Sequence, residues 1–373
     1  MSWLLAFLGF ALLIIFHELG HFSAAKAVGM RVEKFSLFFG APIAKIQRGE
    51  TQYAIGTIPL GGYVKITGMS PDEAAELPPE LFARSYAGSP VWKRLVVIAA
   101  GPFVNLVIAF VLLLGIVTIH GRAVDGIAVS QIQTGYSAKT VLQDNDRLAK
   151  VTAAATTTSP AKTVLGDEPG VSNAELDKRQ AAMIALISTG GCNAKPLGTQ
   201  YKGDGPPYTP EYAECANPQP LQVTVRRDGV LKTVPVTPKY DPVRKRYRLG
   251  LSFAYPIEKT GIIDGAGASV SQMWFITRET VTAIAKIVYN KQARHEVSSV
   301  VGGYETTRQS FEVSTAQALT VIALISLSLA VINLFPFLPL DGGHIFWALV
   351  EKLRGGRPVA TVVLERATIV GFV

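Results

Sequence analysis

Two histidines four residues apart, with a glutamate beside the first, stand out in the chain: His17-Glu18-Leu19-Gly20-His21. On a helix, residues four apart share a face. Two imidazoles on one face can chelate a zinc ion, and the adjacent glutamate is placed to act as general base on a metal-activated water. The pattern is short and arises by chance in unrelated chains. Only five histidines occur here, however, and two of them fall in this one motif.

The motif is embedded in an apolar run. Residues 4–16 carry no charge, and a segment from about Trp3 to Ala25 is long enough to span a hydrocarbon core of about 30 Å. Ionisable groups at that depth are costly and read as functional. The run could instead be a signal peptide ending near Ser23-Ala24-Ala25, but no Lys or Arg precedes Lys26, so the basic leading region is missing.

Three further stretches must be arranged around this helix. Residues 26–94 carry Lys26, Arg31, Lys34, Lys45, Arg48, Lys65, Arg84, Lys93 and Arg94. A short basic loop of this kind belongs on the cytoplasmic side. Within it, residues 43–47, 51–55 and 63–67 read as strands, broken by Arg48-Gly49-Glu50 and Gly61-Gly62. They form either an ordinary hairpin or an edge that pairs with an extended peptide. A second span runs from about Leu95 to His120 and contains Ala100-Gly101-Pro102 and Asn105, a polar residue expected to bond to a neighbouring helix. A third span runs from about Ala316 to Phe337 and ends in Asn333-Leu334-Phe335-Pro336-Phe337-Leu338-Pro339-Leu340-Asp341-Gly342-Gly343-His344.

Between the second and third spans lies a stretch of soluble character. Ser172-x-x-Glu175 is a capping box for a helix to about Ile187, and Arg227-Asp228-Gly229 joins two alternating strands, so a small α+β domain is expected. Its loop at 188–220 holds both cysteines, Cys192 and Cys215. They form either a disulfide, which requires an oxidising side, or two free thiols. Residues 270–289 read as an amphipathic helix that lies on the membrane or packs on the soluble domain. Residues 368–373 turn apolar again, so a fourth span, cut short here, is expected.

Composition agrees. The chain is 49% hydrophobic and 17% charged, with mean hydropathy +0.29, as for a membrane protein with a sizeable soluble part. The net charge of +8 is spread beside apolar segments rather than gathered in an aromatic-interleaved patch. That pattern excludes nucleic acid as the expected partner and points to the lipid bilayer.

Taken together, the His17-Glu18-x-x-His21 and Asn333-x-x-Pro336-x-x-x-Leu340-Asp341-Gly342-Gly343 motifs resemble the site-two protease family of intramembrane zinc metalloproteases. The resemblance is to its bacterial regulatory branch, which carries PDZ domains and degrades anti-sigma factors. It extends through Arg48-Gly49-Glu50-Thr51, Ile58-Pro59-Leu60-Gly61-Gly62-Tyr63-Val64 and Ala100-Gly101-Pro102-x-x-Asn105. It implies that His17, His21 and Asp341 ligate Zn2+ and that Glu18 activates water. It further implies that Asn333 meets the substrate backbone or its oxyanion, and that a membrane-associated β-element including Thr51, Tyr53, Ile55, Gly61, Gly62 and Tyr63 extends the substrate strand. Two histidines and a carboxylate suit catalytic zinc, which takes three protein ligands and keeps one position open. The insert departs from the PDZ pattern Gly-Leu-x-x-Gly-Asp, reading Val141-Leu142-Gln143-Asp144-Asn145-Asp146, although Asn145 can adopt the left-handed conformation of a glycine.

The expected architecture is therefore a polytopic α-helical membrane protein with three spans and the start of a fourth, a membrane-associated β-hairpin element and an inserted PDZ-like α+β domain. Its expected parts are 1–120 (first span, β-element, second span), 121–258 (PDZ-like domain), 259–312 (amphipathic linker helix) and 313–373 (third span and start of the fourth). The expected location is a bacterial inner membrane, with the PDZ-like domain outside and the active site towards the cytoplasm. The expected substrate is a single-span membrane protein, either anti-sigma-factor-like or a signal-peptide remnant. Two rivals stand beside this reading: a non-catalytic membrane scaffold that binds partners through the PDZ-like domain, and an ion transporter. Glu18 argues against the first, and the lack of internal repeats against the second.

Overall fold

The N-terminal apolar run folds into helix α1 (Ser2–Ala27). Leu5, Leu8, Leu12, Phe16 and Leu19 form an exposed stripe at helical spacing, while Ala6, Leu13, His17, Gly20 and His21 are buried on the other side. A helix with an apolar outer face and two buried histidines inside suits lipid on one side and protein on the other. The computed structural model describes residues 2–155, 161–166, 171–191, 196–198, 211–215, 217–289, 300–356 and 359–372. These divide into two compact units, 1–120 with 260–373, and 121–259.

In the first unit, α1 is followed by two long antiparallel strands, β1 (Val32–Arg48) and β2 (Thr51–Ile66). The three short strands expected here are merged into these two, and the first begins well before residue 43. The ladder folds on itself. Residues 34–37 of β1 pair with Gln52–Ile55 and also with Gly62–Lys65, while residues 44–48 pair with Thr51–Ile55. In space the order is thus 44–48, 51–55, 32–37, 62–66. The bend lies at Phe38 and Gly40, both with positive φ (69° and 85°). Among the described ladders, the segment 62–66 pairs on one side only. The hydrogen bonds from Arg84, and then Lys26, hold the Glu50 carboxyl at the β1–β2 turn below its ordinary range.

Two short helices follow, α2 (Pro71–Ala75) and α3 (Pro79–Phe82), and then the second long helix, α4 (Val91–His120). Its buried face runs through Arg94, Ile98, Gly101, Asn105, Ala109 and Leu113, again at steps of three and four. A core of Ala25, Met30, Val32, Ile66, Tyr86, Val97 and Ile98 welds the end of α1, the sheet and the start of α4 together.

The second unit is built on a sheet of β4 (Ala128–Ser130), β5 (Arg147–Ala153), β9 (Leu221–Arg227), β10 (Val230–Val236) and β13 (Ser252–Ala254), in the order β10-β9-β5-β4-β13, with β6 (Lys162–Leu165) also on β5. Strand β3 (Arg122–Ala123) precedes it. The short strands β7 (Pro196–Gly198), β8 (Glu211–Tyr212), β11 (Lys239–Asp241), β12 (Arg246–Arg248) and β14 (Ile257–Glu258) form two-stranded pairs around it. Helices α5 (Ala138–Val141) and α6 (Asn173–Ser188) complete the unit. Ile127, Leu148, Val151, Met183, Leu221 and Val223 form its core. Asn145 does take a positive φ of 71°, and its amide brackets Ile257, accepting from the backbone N–H and donating to the carbonyl. Cys215 is disulfide-bonded and its N–H donates to the Tyr247 hydroxyl at 2.8 Å. Cys192 lies outside the described residues.

Returning to the first unit, α7 (Ile262–Tyr289) is amphipathic and exposes Val270, Trp274, Phe275 and Val281. Helix α8 (Val300–Val313) leads into α9 (Thr315–Asn333), the third helix long and apolar enough to cross a membrane after α1 and α4. Prolines at 336 and 339 interrupt the helical pattern after Asn333. The chain restarts as α10 (Asp341–Leu353). Helix α11 (Thr361–Phe372) has 12 described residues, whereas a span needs about 20, so it does not provide a fourth crossing among the described residues.

Candidate metal centre

Helix α1 presents Ile14, His17, Glu18 and His21, one face at i, i+3, i+4 and i+7, to a cavity of about 470 Å³. The break after α9 makes Asp341 the first residue of α10, where a carboxylate is also favoured by the helix N-terminus. Its Oδ2 lies 3.3 Å from His17 Nε2 and 3.4 Å from His21 Nε2, and the two imidazole nitrogens are 3.3 Å apart. Among the described residues these are the grouped donors able to share one metal ion.

The residues fit zinc. Ligand atoms about 2.0–2.1 Å from a tetrahedral zinc stand roughly 3.3–3.4 Å from each other, the spacing found here. Asp341 Oδ2 is buried and has no hydrogen-bond partner, a situation that costs free energy unless a cation or donor satisfies it. The His21 ring is fixed from behind, Nδ1 donating to the Val97 carbonyl at 2.8 Å, which leaves Nε2 with a free lone pair.

Helix α4 supplies this backing at close quarters. Gly20 lets α1 approach it: a Cβ there would stand 2.6 Å from the Ala100 carbonyl oxygen. A Cβ on Gly101 would run into the His21 ring. Asn105, fully buried, has its Nδ2 3.2 Å from His17 Nδ1. Further along, Arg94 donates two bonds to Glu351, at 2.8 and 2.9 Å, and one to the Ser89 carbonyl. That pair ties α10, and with it Asp341, to α4.

The residues singled out in the sequence divide at this cavity. His17, Glu18, His21, Asp341, Asn333, Gly61, Gly62 and Tyr63 all line it. Thr51, Tyr53 and Ile55 are not among its lining residues. They sit in the inner segment of the curled sheet, Thr51 donating to the Val32 carbonyl and Tyr53 packing on Phe22 and Phe35. The lining segment is the one-sided 62–66 strand, and Gly62 brings it within 3.0 Å of Glu18 Cγ, measured from the position of a built Cβ. Phe39, not singled out in the sequence, adds a wall by stacking on Tyr63, with planes 4° apart. Its exposure at a strand bend carries no sequence signal. Gly101 and Asn105 did carry one, as small and polar residues inside a span, but that signal reads equally as helix packing.

Two histidines on a helix of membrane-crossing length converge at zinc spacing with an aspartate that opens the helix following another such span, and a glutamate shares their cavity; these features define a class, membrane-embedded zinc metalloproteases. The chain belongs to Peptidase family M50, whose profile matches residues 5–373. It is 30% identical to the regulator of sigma-E protease RseP of Salmonella typhimurium over 97% of this chain and 92% of that protein. It is 27% identical to the protease RseP of Yersinia pestis over 97% and 93%. A protein named as a zinc metalloprotease in Clostridium acetobutylicum is 28% identical over 94% and 87%. Zinc is the cofactor of this chain.

Proposed function

We propose that the chain hydrolyses peptide bonds within transmembrane segments of single-span membrane proteins, with His17 Nε2, His21 Nε2 and Asp341 Oδ2 holding the zinc. The observation that carries the reading is the triangle of three donors at 3.3–3.4 Å with Glu18 facing the same cavity. Zinc, when bound, supplies a Lewis acid for the scissile carbonyl and lowers the pKa of water. Glu18 takes the proton of the attacking water and delivers it to the leaving amine. A substrate helix must unwind first, because its peptide groups are engaged in their own hydrogen bonds. The one-sided strand 62–66 offers those freed groups a replacement partner by β-addition, next to Glu18. Asn333, at the end of α9, donates from its amide to the substrate carbonyl on the far side of the cavity.

The substrate class is an anti-sigma-factor-like membrane protein or a signal-peptide remnant. The name of the Salmonella relative, a regulator of sigma-E, supports the first. The second unit acts as a PDZ-like domain on the extracytoplasmic side of a bacterial inner membrane, where a Cys192–Cys215 bond would persist, and the site opens towards the basic cytoplasmic loop. A non-catalytic scaffold would have no use for Glu18 in the cavity. The test is cleavage of a single-span reporter in vesicles. Glu18→Gln is expected to lower the rate at least about 100-fold while keeping stoichiometric zinc. A variant that cuts as fast as the parent would overturn the assignment.

A further inference from the structure

Asn105 has an unmet requirement that the zinc site would meet. Its Oδ1 is buried and lacks a partner, while its Nδ2 faces His17 Nδ1 at 3.2 Å. The residue is fully buried, and its backbone carbonyl is pinned by the hydroxyl of Ser326, also fully buried, at 2.9 Å. No bulk water can stand in for the absent partner.

His17 points Nε2, not Nδ1, at the other two donors. A neutral imidazole that offers the lone pair of one nitrogen carries its proton on the other. A zinc ligand through Nε2 therefore has an N–H at Nδ1 that needs an acceptor. Turning the Asn105 amide by 180° exchanges Oδ1 and Nδ2. The exchange gives the His17 N–H its acceptor and the orphaned Oδ1 its donor in one movement.

We infer that Asn105 is a positioning residue of the metal centre, accepting the Nδ1 proton of His17 through Oδ1 and so holding that ring in the tautomer that ligates through Nε2. His21 has the matching arrangement with the Val97 carbonyl. One helix, α4, thus orients both histidines of α1, from positions 97 and 105. Such outer partners raise the basicity of the ligand and set the angle of its ring. The inference rests on the zinc reading given above, and its test separates the two.

Zinc affinity is measured by chelator competition on the full chain in detergent, for the parent, His21→Ala, Asn105→Leu and Asn105→Asp. Leucine keeps the volume and removes the acceptor; aspartate keeps only acceptors. The expected result is stoichiometric zinc in the parent and its loss in His21→Ala, with affinity 10- to 100-fold weaker for Asn105→Leu and within about threefold of the parent for Asn105→Asp. A leucine variant that binds as tightly as the parent overturns the inference. So does an aspartate variant that binds more than tenfold more weakly, because the amide would then be acting as donor. If leucine fails to fold, the aspartate comparison decides, together with the histidine ¹⁵N spectrum of the zinc-loaded parent, which must show His17 protonated at Nδ1. A parent without zinc, or His21→Ala binding as the parent does, would overturn the zinc reading itself.

Discussion

Replacing Gly101 by alanine is expected to strip the metal centre while leaving the helices standing. Alanine is the better helix former by about 1 kcal/mol, so α4 itself gains. The harm is local. The new Cβ would run closest into His21 Nε2 itself and would lie 2.6 Å from Cε1 and 2.8 Å from Cδ2, where ordinary contact begins at 3.4 Å. Relief needs a shift of more than about 0.8 Å, the difference for Cε1, because Nε2 stands nearer still. The ring cannot swing aside freely, since Nδ1 is held by the Val97 carbonyl. Metal–ligand distances tolerate only about 0.2 Å, so Nε2 would leave the donor triangle by more than about four times that margin. A loss of 10- to 100-fold in zinc affinity follows, or about 1.4–2.8 kcal/mol, with reporter cleavage falling in step. Gly115 on the same helix has no atom within 4 Å of a built Cβ, so Gly115→Ala serves as the control and should leave zinc untouched. Zinc binding by Gly101→Ala within about twofold of the Gly115→Ala protein would show that the His21 ring tolerates the added methyl.

Other expectations follow from single contacts. Arg94→Met leaves the half-buried Glu351 carboxylate without its partner and should lower stability by about 1–3 kcal/mol in a thermal melt in detergent; adding Glu351→Leu should restore most of it, and a double variant no better than the single would contradict a pairwise strut. Gly62→Val crowds Glu18 Cγ and the Ser36 carbonyl, each 3.0 Å from a built Cβ, so cleavage should fall at least about tenfold with zinc content unchanged; loss of zinc would show that the strand acts on the ligands instead. The Glu50 carboxyl is held below 4.5, chiefly by Arg84. A depressed acid contributes stability that is complete above its unfolded value and lost as pH falls through the folded one. With Glu50 about a third exposed, the effect is a few tenths of a kcal/mol, and Glu50→Gln should melt with a shallower acid-side decline below about pH 4.5; an unchanged slope would remove Glu50 from the account.

How much of this was legible beforehand depended on the range of the signal. The three long helices were readable because unbroken apolarity over some 20 residues is a property of the chain itself, set by the thickness of the hydrocarbon. His17, Glu18 and His21 were readable as one face because helical spacing is local. Residues 43–67 were readable as strand-forming, but the curl was not. Its order depends on a bend at Phe38–Gly40 and on residues 34–37 pairing on both edges, and alternation cannot reveal which segment becomes the inner one. That is why Thr51, Tyr53 and Ile55 fell away from the cavity while Gly61, Gly62 and Tyr63 remained.

The sequence by itself determined which groups could bind a metal: two imidazoles on one turn and a carboxylate where prolines force a helix to restart. Only the tertiary structure decided that these groups meet at 3.3–3.4 Å. It also decided what stands behind them, the Val97 carbonyl, Gly101 and Asn105 of α4. The physical reason is that ligand type is written in each side chain, whereas ligand geometry comes from packing between helices whose contacting residues lie 76 and 88 apart in sequence, where a single glycine sets how closely two backbones can pass.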